Sequence, residues 1–590
     1  MAMGRPDRVV FLAFAGVVGL YVAMRAALVP MVHDECATVA WYIRSGVWRP
    51  YQAHWDAGNH YLATGIGLLS ARLFGGSPFA LRAGDLLAYV LYAYATWRLG
   101  ARFRSRTPRL CLQAALLLCP YLLDFFSLFR GYGIEMAGWL FALDGLLRYA
   151  RSKASRNLFQ TLVGLLVAGA SIVALVPVWA LVLVLLAAVG WGARDTRWTQ
   201  LTLWTLFGVV PLILASAIAF QLKARGLLYH GSTDGFFAVS VTSLCRYVLG
   251  STAVLTASIV CLVLLALGMV AVQHAWRAST WRDPMVLVYL LLGCDVLARV
   301  MLAQVFGVNY PEDRAALHLV PLAVLAIALT ADRLSMQHAR WTWAATLLLI
   351  LPARTLWTAN LDHTLAWPEQ AVPERFMRQT LGSGDAPGHA RLVGGQHQLA
   401  LVWPMNAYWQ GLPVPPIQVV GFPKGPHDLR IVDERYLREA LPGYHAIDSA
   451  KGPGLWLLER DTPLSMTLAI TLASPARSTR DEFDELAHIP DTLLHAHAVQ
   501  LVVDVPLSLI PAAPDQRLVL EVNDREGNKL FYDVIGPLAL RPNWRGEPLH
   551  WTWRLPALPG ASRAVLYFHN PGKVMLARGI ANVAVSTIRE

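Results

Sequence analysis

An acidic pair, Asp34-Glu35, follows directly after a long apolar run of this sequence. A carboxylate in such a place could act as a general base that takes a proton from a hydroxyl group. The pair could also begin a helix, because acidic residues in a first turn accept N–H hydrogen bonds and interact favourably with the helix dipole. Both roles can hold together, since a carboxylate at a helix start is firmly placed. Asp34 and Glu35 are therefore candidate catalytic residues.

A polar cluster follows in the same stretch of chain, where His54, Asp56, Asn59 and His60 occur close together. Imidazole, carboxylate and amide groups of this kind can contact a sugar or a phosphate. His and Asp side chains are also ligands for divalent metals. Short His and Asp clusters are nevertheless common in solvated loops. We expect substrate contacts here, with His54 and His60 helping to bind a phosphate, and we assign no metal ligands.

Two further segments place an arginine beside aromatic residues. Arg130 lies within Phe129–Gly133, and Arg314 ends the segment Tyr310–Arg314. A guanidinium group donates paired hydrogen bonds to phosphate oxygens, so these two arginines are the best candidates to hold a phosphate. The other residues that we expect to contact substrate are His33, Asp56, Asn59, Tyr132, Glu135, Tyr310, Glu312 and Asp313.

The elements that must position these residues are those of a membrane protein. The chain has 590 residues, of which 55% are hydrophobic and only 15% are charged, against about 25% charged in an average soluble domain. It also contains 21 Trp, 20 Phe and 19 Tyr, which excludes a disordered chain. The net charge of +11 comes from loops between apolar runs, and no basic tract predicts a nucleic-acid groove.

Long apolar runs predict about eleven membrane-spanning helices. Basic residues collect in alternate loops, which makes those loops cytoplasmic by the positive-inside rule. The amino terminus is then cytoplasmic, and everything after Asn360 lies outside. Within one run, Asp295 and Arg299 are one helical turn apart and are expected to pair. The runs are Val9–Val29, Phe79–Leu99, Leu110–Leu123, Gly133–Leu147, Leu158–Leu175, Pro177–Trp191, Thr199–Phe220, Thr252–Val272, Met285–Val308, Ala315–Ala331 and Trp341–Trp357.

The composition changes at Asn360. Beyond it Pro, Asp, Glu and His become common, and short alternating segments separated by turn residues replace the long apolar runs, a pattern typical of strands. We predict an α-helical multi-pass membrane domain over residues 1–359. An extracytoplasmic α/β unit over 360–473 and a β-sandwich, similar to a jelly roll, over 474–590 are expected to follow.

Three tryptophans fall within the predicted sandwich, namely Trp544, Trp551 and Trp553. Their rings could stack on sugars and form a carbohydrate-binding face. They could equally fill the core of the sandwich, since aromatic strand residues most often face inward. The sequence leaves both interpretations open.

Several motifs of the membrane domain resemble one family. The acidic pair is followed by His60–Thr64, which runs into Leu73–Arg82. This block is similar to the GT-C class of glycosyltransferases, in particular to the bacterial branch related to protein O-mannosyltransferases and to the aminoarabinose transferases of lipid A. Phe129–Gly133 and Tyr310–Arg314 resemble later outer-loop segments of that branch. The resemblance covers roughly Val9 to Trp357 and implies a GT-C-like helical membrane fold.

The resemblance implies a cell-envelope glycosyltransferase of the bacterial inner membrane. Such an enzyme takes a sugar from a polyprenyl-phosphate carrier and passes it, on the periplasmic side, to a hydroxyl of a glycan, a glycolipid or a protein. Asp34 would be the base, Glu35 would assist or position the acceptor, and Arg130 and Arg314 would stabilise the departing phosphate. A direct displacement would invert the anomeric centre. No cofactor is implied, although a divalent cation could replace one of these cationic groups.

Two other classes of protein fit part of the sequence. A transporter or flippase for a lipid-linked sugar would also have many spans. Such proteins typically show internal repeats and substrate groups near the middle of the membrane, whereas this sequence has no internal repeat and few charged residues in the middle of its spans. A membrane anchor that displays a carbohydrate-binding sandwich would give the acidic pair and the arginines no role. The glycosyltransferase is therefore the favoured interpretation.

Overall fold

The computed structural model describes residues 5–190, 197–278, 280–381, 391–509, 516–536 and 549–589. The chain divides into two compact units. The helical unit consists of Met1–Leu28 and Trp48–Leu361, and the β-rich unit consists of Val29–Val47 and Asp362–Glu590. The segment that carries the acidic pair therefore belongs to the same unit as the carboxyl-terminal part of the chain.

The helical unit is built almost entirely of helices, which satisfy the backbone hydrogen bonds of apolar segments internally. Numbered along the whole chain, with α2 in the other unit, its helices are α1 (Arg5–Leu28), α3 (Tyr61–Phe74), α4 (Pro78–Leu81), α5 (Ala83–Gly100), α6 (Arg106–Leu117), α7 (Pro120–Phe126), α8 (Tyr132–Ser152), α9 (Ser155–Ser171), α10 (Val176–Gly190), α11 (Arg197–Leu203), α12 (Val210–Ala224), α13 (Thr242–Leu244), α14 (Val254–Ala278), α15 (Pro284–Phe306), α16 (Leu319–Ser335) and α17 (Ile350–Thr358). The π-helical turns Trp204–Val209, Phe237–Val241 and Cys245–Leu249 and the 3-10 helices Val173–Leu175, Asp313–Ala316 and Ala339–Leu349 complete it.

Within the described residues, five helical stretches are long and apolar enough to cross a membrane. They are Pro6–Leu28, Val173–Gly190, Trp198–Ala224, Val254–Arg277 and Pro284–Phe306. Helices α6 and α7, bent by 50°, would together make a sixth. These stretches confirm a multi-pass helical region, whereas the count of about eleven spans is not confirmed. One reason is that helices such as α5 and α8 carry buried charged residues, Asp85 and Asp144 among them.

Glycine allows α8 and α9 to pack closely. A Cβ atom built on Gly164 would lie 2.6 Å from the backbone nitrogen of Ala142 and 2.6 Å from the carbonyl oxygen of Gly138. Small residues at an interface let two helix backbones approach each other in this way inside membranes. The contact fixes α8, whose first turn carries Tyr132 and Glu135.

The first part of the β-rich unit is an α/β arrangement around a mixed sheet. Its strands are β1 (Val393–Gly394), β2 (Ile417–Gln418), β3 (Leu429–Asp433), β4 (Tyr444–Ala450) and β5 (Leu455–Arg460). They lie in the order β2-β1-β3-β5-β4, with β1 parallel to β2 and β3 and with β5 antiparallel to β3 and β4. The helices of the unit are α2 (His33–Thr38), α18 (Glu374–Thr380), α19 (Leu399–Gln410), α20 (Leu437–Ala440) and α21 (Asp491–Ala496).

The second part of the β-rich unit is a sandwich. Its strands are β6 (Ser465–Ser474), β7 (Arg477–Thr479), β8 (Phe483–His488), β9 (Ala498–Val505), β10 (Leu507–Leu509), β11 (Arg517–Asn523), β12 (Lys529–Ile535), β13 (Leu549–Leu555), β14 (Arg563–His569), β15 (Leu576–Arg578) and β16 (Ala581–Arg589). Two four-stranded sheets have the orders β12-β11-β14-β8 and β13-β9-β16-β6, and a third has the order β10-β15-β7. The predicted β-rich carboxyl-terminal region is confirmed.

Tryptophan contributes to the sandwich core rather than to its surface. Trp551 is 6% exposed and Trp553 is fully buried, and both pack in the apolar cluster between the sheets. The indole N–H of Trp553 donates to the carboxylate of Asp533 at 2.9 Å, which satisfies the one polar atom of that buried ring. The core interpretation is therefore right for these two residues, and the sugar-stacking one is wrong. Trp544 lies outside the described residues.

Candidate active site

The acidic pair lies in the first turn of α2, where acidic residues favour the start of a helix. Glu35 is fully buried, and its Oε2 accepts the backbone N–H of Val32 at 3.0 Å. Asp34 is half-buried, and its carbonyl oxygen accepts the Thr38 hydroxyl at 2.9 Å. Because Glu35 caps the helix, the backbone that carries Asp34 has a defined conformation.

Residues from a distant part of the sequence hold this segment in place. The side-chain amide of Asn406 in α19 makes two hydrogen bonds of 3.1 Å with the backbone of Met31, one as donor and one as acceptor. The backbone N–H of His33 donates to Gln370 at 2.7 Å, and its Nδ1 lies 3.0 Å from the carbonyl oxygen of Gln398. Sequence reasoning missed these amides, because nothing local marks a residue whose partner lies hundreds of positions away.

A second imidazole lies beside His33 within the β-rich unit. The rings of His33 and His397 are 6.0 Å apart. His397 interacts electrostatically with Asp533, and burial raises the pKa of that carboxyl group, opposed in part by the hydrogen bond from Trp553. The neighbourhood of the acidic pair therefore includes titratable groups that sequence reasoning did not single out.

In the helical unit, Asp85 fixes the loop that carries Arg130. Its carboxylate accepts the backbone N–H groups of Gly131 and Ile134, each at 3.3 Å, at the start of α8. Gly131 has a φ of +70°, and a Cβ atom there would lie only 3.1 Å from the Cβ of His60. The glycine is thus required both by the backbone conformation and by the close approach. Sequence analysis did not name Asp85, although an acidic residue within the apolar run Phe79–Leu99 could have indicated a functional position.

The polar cluster and the Arg130 segment meet in the helical unit. His60 is buried, with Nδ1 at 3.1 Å from the carbonyl oxygen of Ser171 and its ring 5.1 Å from that of Tyr132. Arg130 is also buried, and its Nη1 lies 3.5 Å from the carbonyl oxygen of Gly58. The N–H of Gly58 donates in turn to Asp56 at 2.5 Å. The structure therefore brings Asp56, His60, Arg130 and Tyr132 together.

The other residues of the loop before α3 have separate contacts of their own. The amide of Asn59 donates to the carbonyl oxygen of Trp48 at 3.0 Å and accepts the hydroxyl of Thr64 at 3.1 Å. His54 is half-buried. Beside it, the guanidinium of Arg225 lies 4.9 Å above the ring of Trp55, a cation–π contact that brings a further cation to this loop.

The Tyr310–Arg314 segment has a fixed, bent backbone. Asp313 has a φ of +42°, donates its N–H to the Ser243 hydroxyl at 2.9 Å, and accepts the N–H of Arg314 at 2.8 Å. Tyr310 is buried, and its N–H donates to Ser232 at 2.9 Å. Glu312 is half-buried in the same segment.

Aromatic residues of α7 connect the two arginine segments. The hydroxyl of Tyr121 donates to Asp313 at 3.2 Å, and its ring lies 5.1 Å from that of Phe125. The ring of Phe125 lies 4.7 Å from that of Tyr132, which follows Arg130. Arg314 interacts electrostatically with Tyr121 as well. The two segments that sequence analysis singled out separately therefore converge around Tyr121.

A buried charged group lies deeper in the helical unit. Asp295 and Arg299 pair at 3.2 Å, as the sequence predicted, and His318 joins them with Nε2 at 2.9 Å from Asp295. Glu135 is 1% exposed, interacts electrostatically with Arg299, and has no hydrogen-bond partner for either carboxylate oxygen in the part of the chain that the structure describes. A buried carboxylate without hydrogen bonds is costly, so such a residue in a membrane region points to function.

A large apolar cavity adjoins the Tyr310 segment. Its volume is about 1870 Å³, and aliphatic side chains of α14, α15 and α16 form most of its lining. Phe236 lines it as well, and the ring of Phe236 lies 6.1 Å from that of Tyr310. Among the described residues, no group of three or more His, Cys, Asp or Glu side chains is arranged to hold a metal ion.

Solved structures that resemble the chain include ArnT from Cupriavidus metallidurans bound to undecaprenyl phosphate, at 15% identity and a TM-score of 0.43 over 77% of this chain and 98% of that one. The archaeal oligosaccharyltransferase AglB from Archaeoglobus fulgidus, in complex with an inhibitory peptide and a dolichol-phosphate, is 10% identical with a TM-score of 0.37 over 95% and 94%. The mycobacterial arabinofuranosyltransferase AftD is 13% identical with a TM-score of 0.37, and the match spans 100% of this chain and 62% of AftD.

No protein-family model and no curated protein sequence matches the chain. These three likenesses are distant, with identities of 15%, 13% and 10%.

Proposed function

We propose that the chain is a glycosyltransferase of the bacterial inner membrane. It moves a sugar from a polyprenyl-phosphate donor to a hydroxyl group of a periplasmic glycan, glycolipid or protein, with inversion at the anomeric carbon. The amino terminus is cytoplasmic in this proposal, and the β-rich unit is periplasmic.

The observation that carries the proposal is the apolar cavity beside a segment that ends in an arginine. A polyprenyl phosphate has a long hydrocarbon tail and an anionic headgroup, so its site must join an apolar space to cationic side chains. The cavity, whose lining includes Phe236 next to Tyr310, supplies the first. Arg314, at the end of the Tyr310 segment, supplies the second, because a guanidinium group binds phosphate oxygens in pairs.

In the proposed reaction the acceptor oxygen attacks the anomeric carbon and its proton passes to Asp34. The bond between that carbon and the phosphate oxygen breaks, and the polyprenyl phosphate leaves with the electron pair. Arg130 and Arg314, assisted by His54 or His60, stabilise the charge that develops on the phosphate. Glu35 was expected to assist or position the acceptor, but it is fully buried and caps the start of α2. In this proposal it positions Asp34 instead.

The remaining candidate residues contact the sugar or the acceptor in this proposal. They are His33, Asp56, Asn59, Tyr132, Glu135, Tyr310, Glu312 and Asp313. Among them Glu135 is the best supported, because its buried carboxylate has no hydrogen-bond partner in the described part of the chain. Sugar hydroxyls are suitable donors to such a group.

The test is release of polyprenyl phosphate by the purified full chain, supplied with undecaprenyl-phosphate-linked sugars and candidate acceptors. Asp34→Asn keeps the size of the side chain but removes the base, so the rate is expected to fall by at least about 100-fold. Asp504→Asn is the matched control, since Asp504 is 48% exposed in the sandwich. A folded Asp34→Asn variant within a few-fold of the wild type, or a wild type that releases no polyprenyl phosphate, would contradict the proposal.

A further inference from the structure

One face of the sandwich carries aromatic rings at its surface. In β11, Leu518, Leu520 and Val522 point into the core, so the alternate residues of that sheet face the other way. On this outer face lie Tyr532 of β12, Phe483 of β8, and Tyr567 and His569 of β14. Phe483 is 53% exposed and Tyr532 is 39% exposed.

The rings form a diagonal strip across the sheet. Phe483 stacks on His569 at 5.0 Å, with an angle of 4° between the rings, and lies 5.8 Å from Tyr567. Tyr532 faces Glu521 in the register of β12 and β11, and Glu521 faces Val565 of β14. From the spacing of strands and the rise per residue, the strip from Tyr532 to Phe483 is roughly 20 Å long.

Polar groups with both donors and acceptors lie along the strip. The carboxylate of Glu521 accepts the Tyr567 hydroxyl at 3.0 Å and the Asn523 amide at 2.8 Å. Lys529 lies 4.0 Å from Glu521, and Arg563 lies 3.8 Å from Glu485. Each of these carboxylates therefore has a cation nearby, so the strip offers hydrogen bonds without an excess of one charge.

The other sheet offers no comparable surface among the described residues. Part of its outer side packs against the α/β part of the unit, where Arg554 of β13 pairs with Asp428 at 2.7 Å. Its edge strand β6 (Ser465–Ser474) exposes serine, threonine, alanine and leucine but contains no aromatic ring. The surface rings are thus concentrated on the face formed by β12, β11, β14 and β8, which we call the aromatic face.

We propose that the aromatic face binds a neutral carbohydrate chain. Flat rings pack against the C–H faces of sugars, and the carboxylate, amide and cationic groups beside them exchange hydrogen bonds with sugar hydroxyls. The length of the strip fits an oligosaccharide better than a single sugar. The paired charges favour a neutral glycan, because an acidic one would meet Glu521 and Glu485. This binding does not depend on the proposed transfer reaction.

The test is binding of the full chain, held in lipid nanodiscs rather than in a sugar-headed detergent, to an array of neutral and acidic oligosaccharides. The wild type should retain neutral oligosaccharides. Tyr532→Ala and Phe483→Ala should each weaken binding by about tenfold. Leu468→Ala is the matched control, because Leu468 is 62% exposed on the other sheet, and it should leave binding unchanged.

Two further measurements separate this site from the proposed enzyme. Thermal unfolding should show that the alanine variants are folded, and Glu521→Gln, which keeps the shape of the side chain, should also weaken binding. Release of polyprenyl phosphate with a small acceptor should be the same in all of these variants and in the wild type. The proposal is overturned if the wild type binds no neutral oligosaccharide, if it prefers acidic ones, or if binding survives both alanine substitutions.

Discussion

Adjacent carboxylates in the first turn of α2 have different surroundings. Glu35 is fully buried and accepts the N–H of Val32, so its charge serves the local structure. Asp34 is half-buried. Residue type and spacing can therefore identify two adjacent carboxylates as candidate catalytic residues, but the role of each one follows from its burial and hydrogen bonding. The assignment of Asp34 as the base depends on that difference.

His427 provides a pH-dependent prediction at the residue scale. It is fully buried, with neither ring nitrogen hydrogen-bonded in the described part of the chain. Burial, reinforced by Arg430, Arg554 and Arg460, lowers the pKa of its imidazole from 6.5 to about 3. Below pH 6.5 the unfolded chain then binds a proton that the folded chain does not, so stability is lost as the pH falls from 6.5 towards about 3.

The corresponding measurement is the unfolding temperature of the purified chain as a function of pH. His427→Leu should reduce the loss of stability on acidification, because the leucine cannot take up a proton when the chain unfolds. His445→Leu, a change at an exposed histidine, should retain the pH dependence of the wild type. Equal acid sensitivity in the wild type and in His427→Leu would show that His427 is not the group responsible.

At the scale of single elements, the packing of α8 against α9 should tolerate no side chain at Gly164. The nearest atoms to a Cβ there are backbone atoms at 2.6 Å, which cannot rotate away. Gly164→Val is therefore expected to lower stability by about 1–3 kcal/mol and to reduce activity, since α8 carries Tyr132 and Glu135. Gly293→Val, where a Cβ meets nothing within 4 Å, is the control in an unfolding assay. Equal stability of the two variants would contradict the packing argument.

The segment before α2 should loosen without Asn406. Asn406→Leu leaves the backbone N–H and C=O of Met31 without the two bonds that the amide supplies, at a cost of about 1–3 kcal/mol for each unsatisfied group. Hydrogen exchange of residues 29–38 should become faster, and the rate of sugar transfer should fall. Asn582→Leu, at an exposed position of β16, should change neither. Unchanged exchange in Asn406→Leu would show that other contacts hold the segment.

At the scale of the whole molecule, periodicity and composition predicted most of what depends on local pattern. The alternating residues of Arg517–Val522 predict a strand, and the structure has β11 (Arg517–Asn523) there. Alternating apolar residues and flanking turn residues define such a strand locally. The multi-pass helical region and the β-rich carboxyl-terminal region followed from composition in the same way. The count of spans did not, since helices buried within the protein need not be uniformly apolar.

Contacts between distant parts of the sequence could not be predicted. Asp85 and Asn406 each hold a candidate segment through a partner far away in the chain. His318 joins Asp295 and Arg299 from another helix. A single sequence carries no local signal for such partners. The pairing of Asp295 with Arg299 could be predicted, because both lie on one helix a turn apart. The roles of the candidate site residues stay predictions until activity is measured.

The central claim is that the apolar cavity of the helical unit receives the hydrocarbon tail of a polyprenyl phosphate. The most direct test is photo-crosslinking of the full chain in nanodiscs with a polyprenyl phosphate that carries a diazirine in its tail, with mapping of the adducts by mass spectrometry. Adducts are expected on cavity residues such as Val260, Leu264 and Val324 and should decrease when unlabelled undecaprenyl phosphate competes. Adducts spread evenly over other apolar surfaces, such as Leu12 and Leu20 of α1, and insensitive to competition would contradict the claim.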